Sequence, residues 1–149
     1  MDNILLNYET EKDKEELNLM KATVKIIDFV FACKISKYGQ QNSALGNPIK
    51  TDPIILEKKH DEKEDIYSLG IICYEMLIGK PAFNTEDMEK LVSRIDKKEY
   101  FISTALSKEA ISFLKDMLQY DSNSRLNSAQ LSKHSFLTKN INNPHNIDL

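Results

Sequence analysis

Three histidines, two cysteines and four glycines hold the obvious chemical options of this 149-residue chain, and their spacing closes most of them. His60, His134 and His145 are far apart, and Cys33 and Cys73 form no Cys-x-x-Cys pair, so neither a metal-binding spacing nor a disulfide framework is visible. Gly39, Gly46, Gly70 and Gly79 are scattered, so no glycine-rich loop is present to cradle a phosphate. Two residues with hard oxygen atoms flank apolar runs. Asn3 precedes Ile4-Leu5-Leu6, and Asp28 follows Val24-Lys25-Ile26-Ile27. Taken alone, Asn3 reads as a polar residue near a terminus and Asp28 as a turn residue at a strand end.

The composition is globular, with 41% hydrophobic residues and a formal net charge of −3 whose two signs are mixed along the chain. That balance offers no basic footprint for nucleic acid and no polybasic stretch for a membrane surface. The longest uncharged apolar run, Ile66 to Tyr74, falls far short of the roughly 20 residues of a membrane span. The first residues lack a positively charged leader, and two isolated cysteines read as reduced thiols. The expectation is a soluble protein of the cytoplasm or nucleus.

The elements that must position these residues fall into two kinds. Asn3 to Leu6 and Val24 to Ile27 predict two short strands, the second rich in β-branched residues. Between them, Glu9 to Glu16 carries seven charges in eight positions and predicts a solvated loop. Residues 36 to 53, with Gly39, Gly46 and Pro48 and no period, predict a long loop. After Asp65 the pattern is helical. Asp65 to Ile78 is apolar nearly all round and predicts a helix buried on most faces, stopped by Gly79 and Pro81. Thr85 is placed to cap a helix carrying Met88, Leu91, Val92 and Ile95. Ser107 is placed to cap another carrying Ala110, Phe113, Leu114, Met117 and Leu118. A short helix near Ser128 to Ser132 and a frayed tail from Lys139 complete the reading. The fold class is mainly α with a small β ribbon, in one domain over 1–138 with a disordered tail over 139–149.

Separated segments, in a consistent order, resemble the protein kinase family of the serine/threonine type. Asp2-Asn3-Ile4-Leu5-Leu6 is similar to the end of the family's catalytic loop. Val24 to Ala32, with Asp28-Phe29-Val30, resembles the strand and turn of the Asp-Phe-Gly motif. Gly46 to Leu56 resembles the end of the activation segment, normally Gly-Thr-Pro and then Ala-Pro-Glu. Asp65-Ile66-Tyr67-Ser68-Leu69-Gly70, running on to Phe83, resembles the central helix of the C-terminal lobe. Leu114 to Leu126 resembles the late helix and its Asp-Pro-x-x-Arg turn. The resemblance covers residues 2 to about 138 and implies the C-terminal lobe of a protein kinase-like fold.

The resemblance also implies roles. Asp28 and Asn3 match the two residues that hold Mg²⁺ on the ATP phosphates, and such hard oxygen ligands suit that ion. Asp65 matches an Asp that hydrogen-bonds the catalytic loop; without that loop, it is expected to cap its own helix or to lack its main partner. Pro53 matches the Pro of Ala-Pro-Glu, and Arg125 matches the Arg that pairs with that motif's Glu. Several positions depart from the family pattern. Val30 stands in place of Gly, Asn47 of Thr, Asp52 of Ala, and Ile54 of the Glu that pairs with Arg125. Arg125 is therefore expected to be partly solvated, with Asp52 or Asp121 nearby.

The glycine-rich loop, the phosphate-pairing Lys and the catalytic Asp have no counterpart in these residues. The expectation is a truncated serine/threonine kinase-like domain, inactive as this chain, with weak or no Mg-ATP binding. The alternatives are a non-catalytic interaction module or a decayed gene fragment. A protein substrate or scaffold partner is compatible with either, and self-association through apolar surface is expected. No catalytic residue, nucleic-acid partner or membrane partner is expected.

Overall fold

A computed structural model describes residues 3–30, 32, 34, 61–84 and 87–142. The chain divides into two compact units, residues 1–34 and 35–149.

The first unit is a two-stranded antiparallel ribbon of β1 (Ile4–Asn7) and β2 (Thr23–Ile26). Ile4 faces Ile26, Leu5 faces Lys25, Leu6 faces Val24 and Asn7 faces Thr23. Both strands lie one residue from the expected bounds, because the pairing starts where alternating backbone groups first meet. The stretch expected as a loop forms a five-residue helix, α1 (Glu11–Glu15), which corrects that expectation. Thr10 caps it: its side chain accepts from the Asp13 N–H at 3.1 Å and donates to Asp13 Oδ2 at 2.6 Å. Lys14–Glu11 and Lys12–Glu16 pairs then line the helix surface. Charge run and helix coexist because the charges sit at helical spacing. The expected solvation holds, since no α1 residue is buried.

The second unit is helical: α2 (Lys63–Ile78), α3 (Met88–Asp96), α4 (Lys108–Met117), α5 (Ser128–Leu131) and α6 (Ser135–Asn142). Its main core joins Tyr67, Ile71 and Tyr74 of α2 to Leu91 and Ile95 of α3 and Leu114 of α4. A second cluster holds Ile66, Phe113, Met117 and Leu131. Gly70 makes the α2–α4 approach possible: a Cβ there would lie 2.9 Å from Met117 Cβ. Gly79 ends α2 at φ 78°, donating its N–H to the Glu75 carbonyl, as a left-handed cap requires.

Burial on α2 covers most faces, as expected, and only Asp65, Leu69 and Met76 are exposed. Tyr67 and Tyr74 are buried, whereas Leu69 is 39% and Met76 68% exposed. Tyr74 enters the core with its polar end satisfied, since its Oη donates to the Phe101 carbonyl at 2.5 Å. Ser107 caps α4 as expected, accepting from the Ala110 N–H at 3.2 Å. The cap of α3 is Asp87, which accepts from the N–H groups of Glu89 and Lys90. Thr85 lies outside the described residues. Asn127 and Gln130 form a reciprocal capping box on α5. Helix α6 continues past Lys139, where the tail was expected, and Lys139 pairs with Glu109 of α4.

Candidate metal and nucleotide site

The ribbon brings Asn3 and Asp28 together. They are 25 positions apart in sequence, yet the Asn3 Nδ2–H donates to Asp28 Oδ2 at 3.4 Å. The Ile27 N–H donates to the Asn3 carbonyl at 3.0 Å, which extends the β1–β2 pairing to the residue beside Asp28. Asp28 has φ 64°. A short polar side chain tolerates this left-handed geometry better than a β-branched one. The turn then closes with the Ala32 N–H on the Phe29 carbonyl at 3.0 Å. Val30, where the family pattern has Gly, is not among the residues with positive φ, so its branched side chain is not strained there.

Both residues are exposed. Because the Asn3 amide nitrogen is the donor, its Oδ1 stays available beside the Asp28 carboxylate. This all-oxygen pair fits Mg²⁺, which accepts one or two protein oxygens and completes its octahedron with water and phosphate oxygens. Among the described residues no group of three or more His, Cys, Asp or Glu could hold a metal by itself.

The remaining expected residues lie in the helical unit or outside the described residues. Pro53 lies outside them, as do Asn47, Asp52 and Ile54. Asp65 sits exposed in the first turn of α2 and makes no hydrogen bond among the described residues, so it does not cap its helix. That task falls to residues the sequence reading missed. Asp61 Oδ1 accepts from the Lys63 N–H at 2.8 Å, and Glu64 Oε1 accepts from the Asp61 N–H at 3.0 Å. The Asp-x-x-Glu spacing at 61–64 was the available signal.

Arg125 corrects the expectation of partial solvation: it is 1% exposed. Nε and Nη2 donate to the Gln119 carbonyl at 3.0 and 2.9 Å, and Nη1 donates to the Lys63 carbonyl at 2.7 Å. Its guanidinium also lies over the Tyr67 ring, 5.0 Å from the centroid. Backbone carbonyls at a chain reversal point inward here, and a planar five-donor cation can serve several at once. Asp121, expected as a possible helper, instead accepts from the Asn123 N–H at 3.0 Å and from Ser124 Oγ at 3.0 Å. Those bonds, the Asn123 backbone one foremost, hold its carboxyl below the usual carboxylate range. Ser122 occupies the position of the family's turn Pro. Its hydroxyl donates to Asp61 Oδ2, and its carbonyl accepts from Lys63 Nζ at 2.9 Å. These bonds tie the start of α2 to the turn after α4.

Residues 1–137 match the protein kinase domain. The chain belongs to the protein kinase family. This kinase-family chain is 34% identical over 140 residues to serine/threonine-protein kinase PLK1 of Xenopus laevis, covering 93% of the chain and 21% of that protein. It is 32% identical over 126 residues to Aurora kinase A-B of Xenopus laevis, covering 84% and 31%. To serine/threonine-protein kinase atg1 of Dictyostelium discoideum it is 31% identical over 123 residues, covering 82% and 18%. It thus spans less than a third of the length of these relatives. The helical unit and small ribbon agree with the kinase-like, mainly α fold class expected from the sequence. Among the described residues no helix is long and apolar enough to cross a membrane.

Proposed function

We propose that this chain supplies the metal-holding turn and helical scaffold of a serine/threonine protein kinase-like domain, and that the 149-residue polypeptide alone does not transfer phosphate. The observation carrying the reading is the Asn3–Asp28 hydrogen bond, which joins two oxygen-bearing side chains at one ribbon end. In such a domain Mg²⁺ neutralises charge on the ATP phosphates. Asp28 would hold it through its carboxylate and Asn3 through Oδ1, while their mutual bond fixes the two side chains. Pro53 would steady the segment after residue 46, and Asp65 and Arg125 would act in the scaffold rather than on substrate.

The inactivity of the polypeptide rests on chemistry the residues do not provide. Phosphoryl transfer depends on positioned cations, a base and a phosphate cover. No glycine-rich loop or Val-Ala-x-Lys strand occurs in the sequence. Two oxygen ligands without an adenine pocket leave Mg-ATP weakly held. The reading therefore includes a non-catalytic interaction module of the cytoplasm or nucleus, and not only an enzyme.

Transfer from labelled ATP to a generic Ser/Thr protein substrate, compared with Asp28→Ala, tests the first part. Equal background for both is expected, and transfer that Asp28→Ala abolishes would overturn it. Calorimetry tests the second: Mg-ATP affinity at the micromolar level contradicts weak binding.

Self-association belongs to the same proposal. Leu5, Leu6, Val24 and Ile26 are all between 46% and 65% exposed on a ribbon that has only two strands among the described residues. Sedimentation at tens of micromolar should show oligomers; a monomer that melts cooperatively would count against them.

A further inference from the structure

Helix α6 opens on a histidine whose two ring nitrogens are both engaged. The His134 carbonyl accepts from the Leu137 and Thr138 N–H groups at 3.0 and 3.1 Å, so this residue begins the helix. Its Nδ1 accepts from the Phe136 N–H at 3.1 Å, doing for α6 what the Ser107 hydroxyl does for α4. A ring nitrogen that accepts holds no proton, so the ring carries its proton on Nε2. Nε2 lies 3.4 Å from Asp116 Oδ2 of α4, and Ser112 Oγ donates to that same oxygen at 3.2 Å. The His134 side chain is only 10% exposed, and its ring centroid lies 5.1 Å from that of Phe113. Phe136 meets the same Phe113 ring at 4.8 Å. One imidazole thus caps α6 and ties it to α4.

This tautomer excludes two other uses of the cluster. Nε2 has no lone pair to offer a metal, and Ser112 gives its hydroxyl hydrogen to the carboxylate rather than to the ring, so it is not activated as a nucleophile. Asp116 is the charged group in contact with the ring among the described residues. The other charged residues of α4 are Lys108, Glu109 and Lys115, and Glu109 pairs with Lys139, the charged residue of α6. Helix α5 carries none, and Lys133 precedes the ring in the chain. From α2, Ile66 and Cys73 pack in this cluster, and burial pushes the Cys73 thiol up, so it stays neutral.

We propose that His134 is a proton-operated cap on α6. Histidine is the side chain that ordinarily changes charge between about pH 5 and 8. A proton taken from water onto Nδ1 points at the Phe136 N–H, so the cap is lost, and the ring then sets a cation at a helix start, where it is disfavoured. The Nε2–H stays on Asp116, now as a charge-assisted bond. The first turn of α6 therefore opens while the ring remains on α4, and Phe136 leaves Phe113. Docking of that turn is present with the neutral ring and is lost as pH falls through the ring's protonation. Leu137 and the Lys139–Glu109 pair still hold the rest of α6, so the opening is local.

The test is an NMR titration of the isotope-labelled full chain from about pH 8 to about pH 5. At the alkaline end the His134 ring should show the Nε2–H tautomer. The Phe136 amide should lose about tenfold or more of its hydrogen-exchange protection, after correction for intrinsic pH dependence, at the midpoint of the ring's own titration. The Ala110 amide at the Ser107 cap should keep its protection. His134→Asn retains an acceptor in place of Nδ1 but cannot titrate, so Phe136 protection should stay level across the range. Asp116→Asn leaves the protonated ring without its carboxylate and should move the loss to lower pH. An Nδ1–H tautomer at the alkaline end, Phe136 protection that survives protonation of the ring, or a pH-dependent loss that persists in His134→Asn would each overturn the assignment.

Discussion

Arg125 reaches from the turn after α4 to the first residue of α2, where its Nη1 donates to the Lys63 carbonyl at 2.7 Å, and it covers the Tyr67 ring on the way. One buried side chain thus fastens two elements more than 60 residues apart, as the Lys63–Arg125 separation of 62 shows.

Replacing Arg125 with Met keeps much of the volume and removes every donor. The carbonyls of Gln119, Tyr120 and Lys63 then lose those donors in a buried site. The expected loss is at least about 3 kcal/mol, from roughly 1–3 kcal/mol for each of the three carbonyls left without that donor. Urea unfolding of the variant measures it; a change below 1 kcal/mol would mean that water reaches those carbonyls.

The two described glycines should respond for different reasons. At Gly70 an added methyl would gain helix propensity of about 1 kcal/mol, but the 2.9 Å approach to Met117 Cβ forces a core shift costing about 1–3 kcal/mol. Gly70→Ala should therefore destabilise. At Gly79 a methyl meets nothing within 4 Å, yet φ is 78°. Gly79→Ala should lose about 1–2 kcal/mol from backbone strain alone. Gly79→Asn should recover part of that loss, whereas Gly70→Asn should be worse than Gly70→Ala. Thermal melts of the four variants separate crowding from strain.

Ser107→Ala should destabilise by about 1 kcal/mol, because the Ala110 N–H loses its acceptor at the start of α4. Ser107→Asp should keep the cap and add a favourable charge at a helix start. Denaturant midpoints of the pair provide the check.

Acid should weaken the fold through carboxyls held below their usual range. Asp121 is held there chiefly by the Asn123 backbone N–H, Glu109 by the Lys139 side chain, and Asp87 by the Lys90 backbone N–H. A carboxyl whose pKa is lower in the folded chain stabilises it above the unfolded pKa. That contribution is lost as pH falls through the folded pKa. The melting temperature should therefore hold near neutrality and drop once pH passes below about 4, the ordinary carboxylate value. Glu109→Gln should shrink the acid-induced drop and leave the neutral-pH behaviour of α4's Ser107 cap intact.

The ribbon, the order of helices and the Ser107 cap were legible in the sequence because each depends on neighbours a few positions away. A short apolar run and a β-branched run set the strands, apolar stripes set α3 and α4, and one hydroxyl before a stripe set a cap. The family was legible for a similar reason, since its motifs are short runs in fixed order. What escaped depended partly on local bonds that a run of charges hides and partly on contacts across long separations. The charge run at Glu9–Glu16 read as a loop until Thr10 and the Lys–Glu pairs stabilised a turn of helix. The narrow exposed stripe of α2 fell on Leu69 and Met76 while Tyr67 and Tyr74 are buried, because the close pass at Gly70 and the Tyr74 hydroxyl bond set the rotation of a helix whose pattern is apolar nearly all round. The family resemblance carried by the sequence singled out Asn3 and Asp28 as the expected metal-holding residues. Only the tertiary structure decided that strand pairing closes 25 positions into one hydrogen bond, and that carbonyls turned inward by the chain reversal bury Arg125 completely.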